Sequence, residues 1–314
     1  MRKILITGGA GNIGSSLAER LSQDLNSEIV IVDNLLTGDP HKIPLSRKNI
    51  TFIKGDVNKY SDISSIMLCH KFDYVFHYAA VVGVKRTIEN PRLVLNDIDG
   101  IKNILDLSKN TSVKKVFYSS SSEVYGEPVE IPQYEDTTPL NSRLPYAIVK
   151  NVGEAFFKTY HLEYGLNYTI FRFFNTYGPR QSTDFVISKF ISLAQQNKDI
   201  TIYGDGLQTR TFCYIDDNLE TTEKILNKSE LDNKVINIGS DQEITILDLA
   251  KKVIKLLSSS SKIIHIDPLK EGDMTRRKPD ISKMKNVLTR DLTSLDDGIL
   301  LTAKSGFLHN IIDS

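Results

Sequence analysis

The chain has 314 residues, 40% of them hydrophobic, with 39 basic and 39 acidic side chains and a formal net charge of zero. That length sustains a large core, and the balance excludes a strongly basic nucleic-acid binder while leaving room for a local basic site that takes a phosphorylated ligand. Two cysteines, Cys69 and Cys213, make neither a ligand cluster nor a disulfide framework, and no run approaches the roughly 20 apolar residues of a bilayer span, so no metal, no membrane and a cytoplasmic setting are expected. The opening MRKILITGG breaks at glycine too early to read as a signal peptide.

In chain order, KILITG (3–8) reads as a buried strand and a helix follows near 12–23. IVIVD (29–33), ITFIKGD (50–56), YVFHYAA (74–80) and VKKVFYSS (113–120) read as further strands, and 92–110 carries helical apolar spacing. Gly126, Pro128, Pro132, Pro139 and Pro145 punctuate a long loop, after which a helix starts near Tyr146. A strand at 167–175, a helix at 185–197, a strand and turn at 200–206, and a strand then helix at 211–226 come next. VINIG (235–239) precedes a helix whose Thr245 and Asp248 have capping-box spacing, then a short strand at 263–267 and a late helix at 293–306. Strands alternating with helices predict an α/β fold, a Rossmann-type doubly wound parallel sheet with a smaller mixed α/β C-terminal lobe. Residues 1–170 are expected to form the first domain, its sheet completed by later strands, and 171–314 mainly the second.

Between the first strand and first helix stands TGGAGNIG, with Gly8, Gly11 and Gly14 spaced for a tight turn, a close backbone approach and a phosphate at the helix N-terminus. Asn12 and Ile13 lie inside this motif. Asp33 ends the second strand, where a carboxylate accepts hydrogen bonds from a ribose diol and repels a 2′-phosphate. Asn34 and Leu35 supply no arginine beside it, so NAD is expected rather than NADP. Asp56 and Val57, after the third strand, are placed for the adenine edge, and Ala79 and Ala80 are small enough to let a cofactor backbone lie close.

Tyr146 and Lys150 are four apart at a helix start and so share a face. A tyrosine is a poor base with a pKa of about 10, and a neighbouring ammonium favours its ionised form. Tyr146 is expected to take a proton from a substrate hydroxyl as hydride leaves carbon for the nicotinamide. Ser121, in the polar run Ser119–Glu123 that ends a strand, is expected to hold that oxygen, and Lys150 to hold the nicotinamide ribose.

These motifs resemble the extended short-chain dehydrogenase/reductases of the sugar-nucleotide epimerase/dehydratase/decarboxylase group. TGGAGNIG, GDV (55–57), HYAA, SSSEVYG, Tyr146-x-x-x-Lys150, RFFNTYGPRQ, IYGDGLQTRTFCYIDD and RRKPDI (276–281) occur in the expected order over nearly the whole chain. The resemblance implies tightly held NAD, a nucleotide-diphosphate sugar, transient oxidation at its C4, and a homodimer or homotetramer built on the Tyr146 helix. It also implies that Asn175 and Arg180 lie near the diphosphate, that Arg210 binds phosphate, and that Arg277 lies near phosphate or sugar. The base is expected around ITIYGDG, which includes Tyr203. One departure is DIDGIKN, where Asp97 and Ile101 fill the outer slots of the family's N-x-x-G-T helix.

Glu123 discriminates among reactions. A C4 ketone acidifies the C5 hydrogen, which a carboxylate can remove on the way to a 4-keto-6-deoxy sugar. If C6 is a carboxylate, the ketone makes a β-keto acid that loses carbon dioxide. The Ser122–Glu123 pair matches decarboxylases and GDP-mannose dehydratases, whereas AAVVGVKRTIENP is closer to epimerases. Net 4-epimerisation or release of the 4-ketone is therefore placed ahead of decarboxylation and 4,6-dehydration. A catalytically silent NAD-binding regulator is the alternative of another class, disfavoured by the presence of both Tyr146 and Lys150.

Overall fold

A computed structural model describes residues 1–267 and 276–306. The strands are β1 (Arg2–Thr7), β2 (Ser27–Asp33), β3 (Ile50–Lys54), β4 (Tyr74–His77), β5 (Lys115–Ser121), β6 (Asn167–Phe173), β7 (Thr176–Tyr177), β8 (Ile200–Tyr203), β9 (Thr209–Thr211), β10 (Cys213–Tyr214), β11 (Lys234–Ile238), β12 (Glu243–Thr245) and β13 (Ile263–Ile266). Seven of them form one sheet in the order β11-β6-β5-β4-β1-β2-β3, and every pairing in it is parallel. The expected doubly wound sheet is present, and its far edge, β11, comes from late in the chain.

The helices are α1 (Asn12–Leu21), α2 (Tyr60–His70), α3 (Val84–Glu89), α4 (Pro91–Leu95), α5 (Asp97–Asn110), α6 (Pro145–Tyr164), α7 (Val186–Gln195), α8 (Ile215–Leu226), α9 (Ile246–Leu256), α10 (Ser282–Leu288) and α11 (Leu295–Lys304). Alternation along the strands divides the core into two layers. Ile4, Ile6, Ile29 and Ile31 pack on the face covered by α1, α7 and α8, while Leu5, Val30 and Val32 pack on the face covered by α2, α5 and α6. The helix expected over 92–110 is two consecutive helices separated at Asn96. Thr245 caps α9 as its spacing predicts, its hydroxyl accepting from the Asp248 N–H at 3.0 Å. Among the described residues no helix is long and apolar enough to cross a membrane.

The shorter strands form two-stranded pieces beyond the sheet, β10 with β7, β12 with β9 and β13 with β8. One further pairing matters for the site. Gln133, in the long loop before α6, bridges in parallel to Pro279: its N–H donates to Lys278 O at 2.8 Å, and Asp280 N–H donates to Gln133 O at 2.9 Å. This fixes the segment RRKPDI against the loop that follows β5.

Candidate active site

Strand order reverses between β1 and β4, and ligands of such sheets bind in the crevice this leaves at the strands' C-terminal ends. A cleft of about 760 Å³ opens there, lined at one end by Gly8, Gly11 and Asp33 and at the other by Ser121, Tyr146 and Lys150.

At the nucleotide end Gly8 and Gly14 are sterically required. Gly8 has φ +68°, and a Cβ on it would stand 2.6 Å from Ala79 N; one on Gly14 would stand 2.4 Å from Gly8 O. Gly11 caps α1 without a side-chain acceptor, so the helix's first N–H groups face the cleft. Asp33 ties the loop to β2: its Oδ2 accepts from Ala10 N–H at 3.0 Å and its Oδ1 from Leu35 N–H at 2.8 Å. Each oxygen keeps a lone pair for a diol. Asn12 Oδ1 is buried with no protein partner. This set of donors and acceptors fits a dinucleotide, with Asp33 toward a ribose and α1 toward the pyrophosphate. Asn34, Asp56, Val57, Ala79 and Ala80 also line the cleft, as does Ile13.

At the other end, the polar run that closes β5 is buried, and Ser119, Ser120 and Ser121 each have a partner. Ser119 Oγ accepts from Lys150 Nζ at 3.4 Å and donates to His77 O at 3.3 Å; Ser120 Oγ donates to Glu154 Oε1 at 2.6 Å. Glu154 is itself locked to buried Arg172 at 2.7 Å, whose guanidinium also reaches Tyr125 Oη at 2.8 Å. Ser121 Oγ accepts from Glu123 N–H at 3.2 Å, capping the short 3-10 turn Ser122–Tyr125.

Pro145 starts α6, and the helical spacing then presents Tyr146 and Lys150 to the cleft together. Lys150 Nζ lies over the Tyr146 ring at 5.7 Å and the Tyr118 ring at 5.0 Å. Burial lowers the Lys150 ammonium to about 8, opposed by the charge of Asp97. Burial pushes the Tyr146 phenol up; its hydrogen bond with Ser121 and the charge of Arg277 pull it back, while Glu123 and Asp97 push it further. His77, buried beside Lys150, is lowered to about 3 and stays neutral.

Arg277 Nη2 meets Glu123 Oε1 at 2.8 Å, and Glu123 Oε2 is buried without a hydrogen bond. The Gln133–Pro279 bridge delivers this arginine. Ser122, Glu123, Asn175 and Arg277 all line the cleft. Asn175, with φ +37°, donates through Nδ2 to Thr211 O at 2.9 Å. Arg180, Tyr203 and Arg210 do not line it. Arg180 Nη2 bonds Glu19 Oε2 on α1 at 2.6 Å, Arg210 Nη1 bonds Thr209 O at 2.7 Å, and Tyr203 is exposed at the end of β8.

Sequence reasoning passed over His77 and Lys42, both of which border this site. Lys42 follows Asp39 and Pro40 in a short 3-10 turn and is buried into the cleft wall, which lowers its ammonium. The available signal was the proline-fixed turn within DNLLTGDPHKIPL.

A family model described as the NAD dependent epimerase/dehydratase family matches residues 4–239. The UDP-N-acetyl-alpha-D-glucosaminuronate decarboxylase of Bacillus cytotoxicus is 38% identical over 300 residues, covering 91% of each chain. The UDP-glucose 4-epimerase of Thermotoga maritima superposes with a TM-score of 0.91 at 30% identity, covering 99% of both chains. The UDP-glucuronic acid 4-epimerase of Bacillus cereus, solved with UDP-glucuronic acid and NAD, superposes with a TM-score of 0.87 at 29% identity, covering 98% of this chain and 99% of that one.

Proposed function

The chain belongs to the NAD dependent epimerase/dehydratase family, and from that membership we propose that it oxidises a nucleoside diphosphate sugar at C4 and does no chemistry beyond that carbon. The product is the 4-epimer when hydride returns to the ketone, and the 4-keto sugar when the ketone leaves first. One observation carries this reading: Ser121, Tyr146 and Lys150 converge at one end of a cleft whose other end is the glycine loop. NAD, when bound, supplies the hydride acceptor.

The chain's own residues handle the oxygen and its proton. Ser121 holds the C4 hydroxyl, and Tyr146 takes its proton. The Lys150 ammonium, 5.7 Å from the Tyr146 ring, favours the tyrosinate. Glu123 is committed through one oxygen to Arg277, which leaves only its other oxygen for removing the C5 hydrogen, as 4,6-dehydration needs. The same pair favours a second reading, decarboxylation of a uronate. An entering C6 carboxylate competes with Glu123 for the Arg277 fork, and the 38% identical relative bears a decarboxylase name. Assembly is proposed to be a homodimer or homotetramer through α6, on which Ile148 and Leu162 are exposed.

The test is mass spectrometry of products from UDP-, GDP-, CDP- and dTDP-sugars, UDP-glucuronate included, with NADH absorbance followed in parallel. Unchanged mass with a new isomer, or loss of two hydrogens with NADH accumulating, supports C4-only chemistry. Loss of carbon dioxide establishes the second reading, and loss of water overturns both.

A further inference from the structure

Ser120, Arg172 and Asn237 stand in register across β5, β6 and β11, so their side chains share one face of the sheet. Glu154 takes up the first two. Asn237 ends the row at the sheet's edge strand, is fully buried, and has no part in the proton chemistry. Its Oδ1 accepts from Tyr125 Oη at 2.8 Å, and its Nδ2 donates to Gln133 O at 2.9 Å and to Asp280 O at 3.1 Å. Its backbone N–H donates to Glu135 Oε1 at 3.0 Å.

These partners belong to the two segments that carry the Glu123–Arg277 pair. Tyr125 closes the 3-10 turn that holds Glu123. Gln133 and Asp280 are joined in the bridge that delivers Arg277, three residues before Asp280. The chemistry fixes which way the amide points. Two main-chain carbonyls can only accept, so they face the NH2 group. Tyr125 Oη already accepts from Arg172 Nη1 at 2.8 Å, which leaves its proton for the amide oxygen. Gln133 O also accepts from Asp280 N–H at 2.9 Å, so the Asn237 bond fills its second lone pair. An aspartate here would turn an anionic oxygen toward two carbonyls, and a leucine would leave a buried hydroxyl and two carbonyls short of a partner.

We propose that Asn237 is a positioning residue acting through Tyr125, Gln133 and Asp280: it sets the Glu123 turn against the Arg277 segment, so that the two side chains meet at 2.8 Å in the cleft wall. It touches neither charge. It ties both from outside, on a rigid strand, which holds the carboxylate and the guanidinium at one separation whether or not the cleft is filled. The inference rests on the reading that this pair faces the sugar.

The test is Asn237→Ser, with Tyr125→Phe as a second variant that removes the turn-side bond and leaves both bonds to the bridge in place. In each background and in wild type, Glu123→Gln, Arg277→Met and the double variant are unfolded in urea, and the coupling is read as a ratio of unfolding constants. The wild-type coupling is expected to be at least about tenfold, and to fall within about threefold in both backgrounds. A merely structural asparagine would lower stability and leave the coupling unchanged, and that result overturns the proposal. Absence of coupling in wild type overturns it as well, since there is then no pair to position. The measurement needs no turnover, so failure of the C4 assignment in product analysis is distinguishable from failure here.

Discussion

Arg277 and Glu123 meet at 2.8 Å with side chains only 6% and 15% exposed, joining a turn at the end of β5 to a segment near the end of the chain. The contact places a full positive charge beside the carboxylate that separates the family's reactions. Removing Arg277 leaves the Glu123 carboxylate buried without its ion-pair partner. Arg277→Met is therefore expected to lower stability by about 3–5 kcal/mol, and the double variant Glu123→Gln/Arg277→Met to recover most of that loss. Urea unfolding of the two single variants and the double variant measures the coupling. Additive losses would mean that the pair is not formed in solution. Glu123→Gln alone is expected to leave the NADH signal of C4 oxidation in place.

This contact also marks the limit of what local pattern can give. TGGAGNIG and the Tyr146–Lys150 spacing are readable because the chemistry lies within one turn or one helix face. The run Ser119–Glu123 is readable as a site because a buried strand has no packing reason to end in polar residues. The Arg277–Glu123 pair depends on the bridge between Gln133 and Pro279, two loop residues distant in sequence and without strand periodicity. Helix α2 goes unread because its buried Ile63, Ile66 and Met67 are interleaved with exposed Leu68, which blurs the apolar stripe. Asp97 is visible as a departure, but its partners Val81 and Asn58 belong to two other loops.

Tyr146→Phe removes the proton acceptor and little else, since the residue lines the cleft with its hydroxyl toward Ser121. The expected loss in kcat is about 10²–10⁴-fold. Bound NAD, measured on the denatured protein, should match wild type. Turnover within a few-fold of wild type would remove Tyr146 from the mechanism.

Lys150 makes the protein less stable than it would otherwise be at neutral pH. Its folded value of about 8 lies below an unfolded value of about 10.4. Between the two the unfolded state binds more protons, so wild-type stability rises with pH across that window; below pH 8 the full penalty applies. Cofactor-free Lys150→Met is therefore expected to be inactive and more stable than wild type by about 3 kcal/mol at pH 7, with the gap closing from pH 8 to about pH 10.4. Chemical denaturation at pH 7 and pH 10 reads both ends. A wild type more stable than the variant at pH 7 would show that the ammonium's contacts outweigh its burial.

Asp33 should decide the choice of cofactor while also holding its loop in place. Both carboxylate oxygens accept backbone N–H groups of the segments that frame the nucleotide end, Ala10 on one side and Leu35 on the other. The remaining lone pairs suit a ribose diol, and the charge repels a 2′-phosphate in a pocket whose next residue, Asn34, cannot neutralise it. A charge-assisted hydrogen bond contributes about 1.5–3 kcal/mol, so Asp33→Asn is expected to weaken NAD by about 10–100-fold. NADP should be affected far less, because the substitution removes its repulsion along with the loop contacts. Calorimetric titration of both cofactors against wild type and variant gives the ratio. An equal loss for NAD and NADP would assign Asp33 to the loop alone and place cofactor choice elsewhere, with Lys42 the next residue of the cleft wall to substitute.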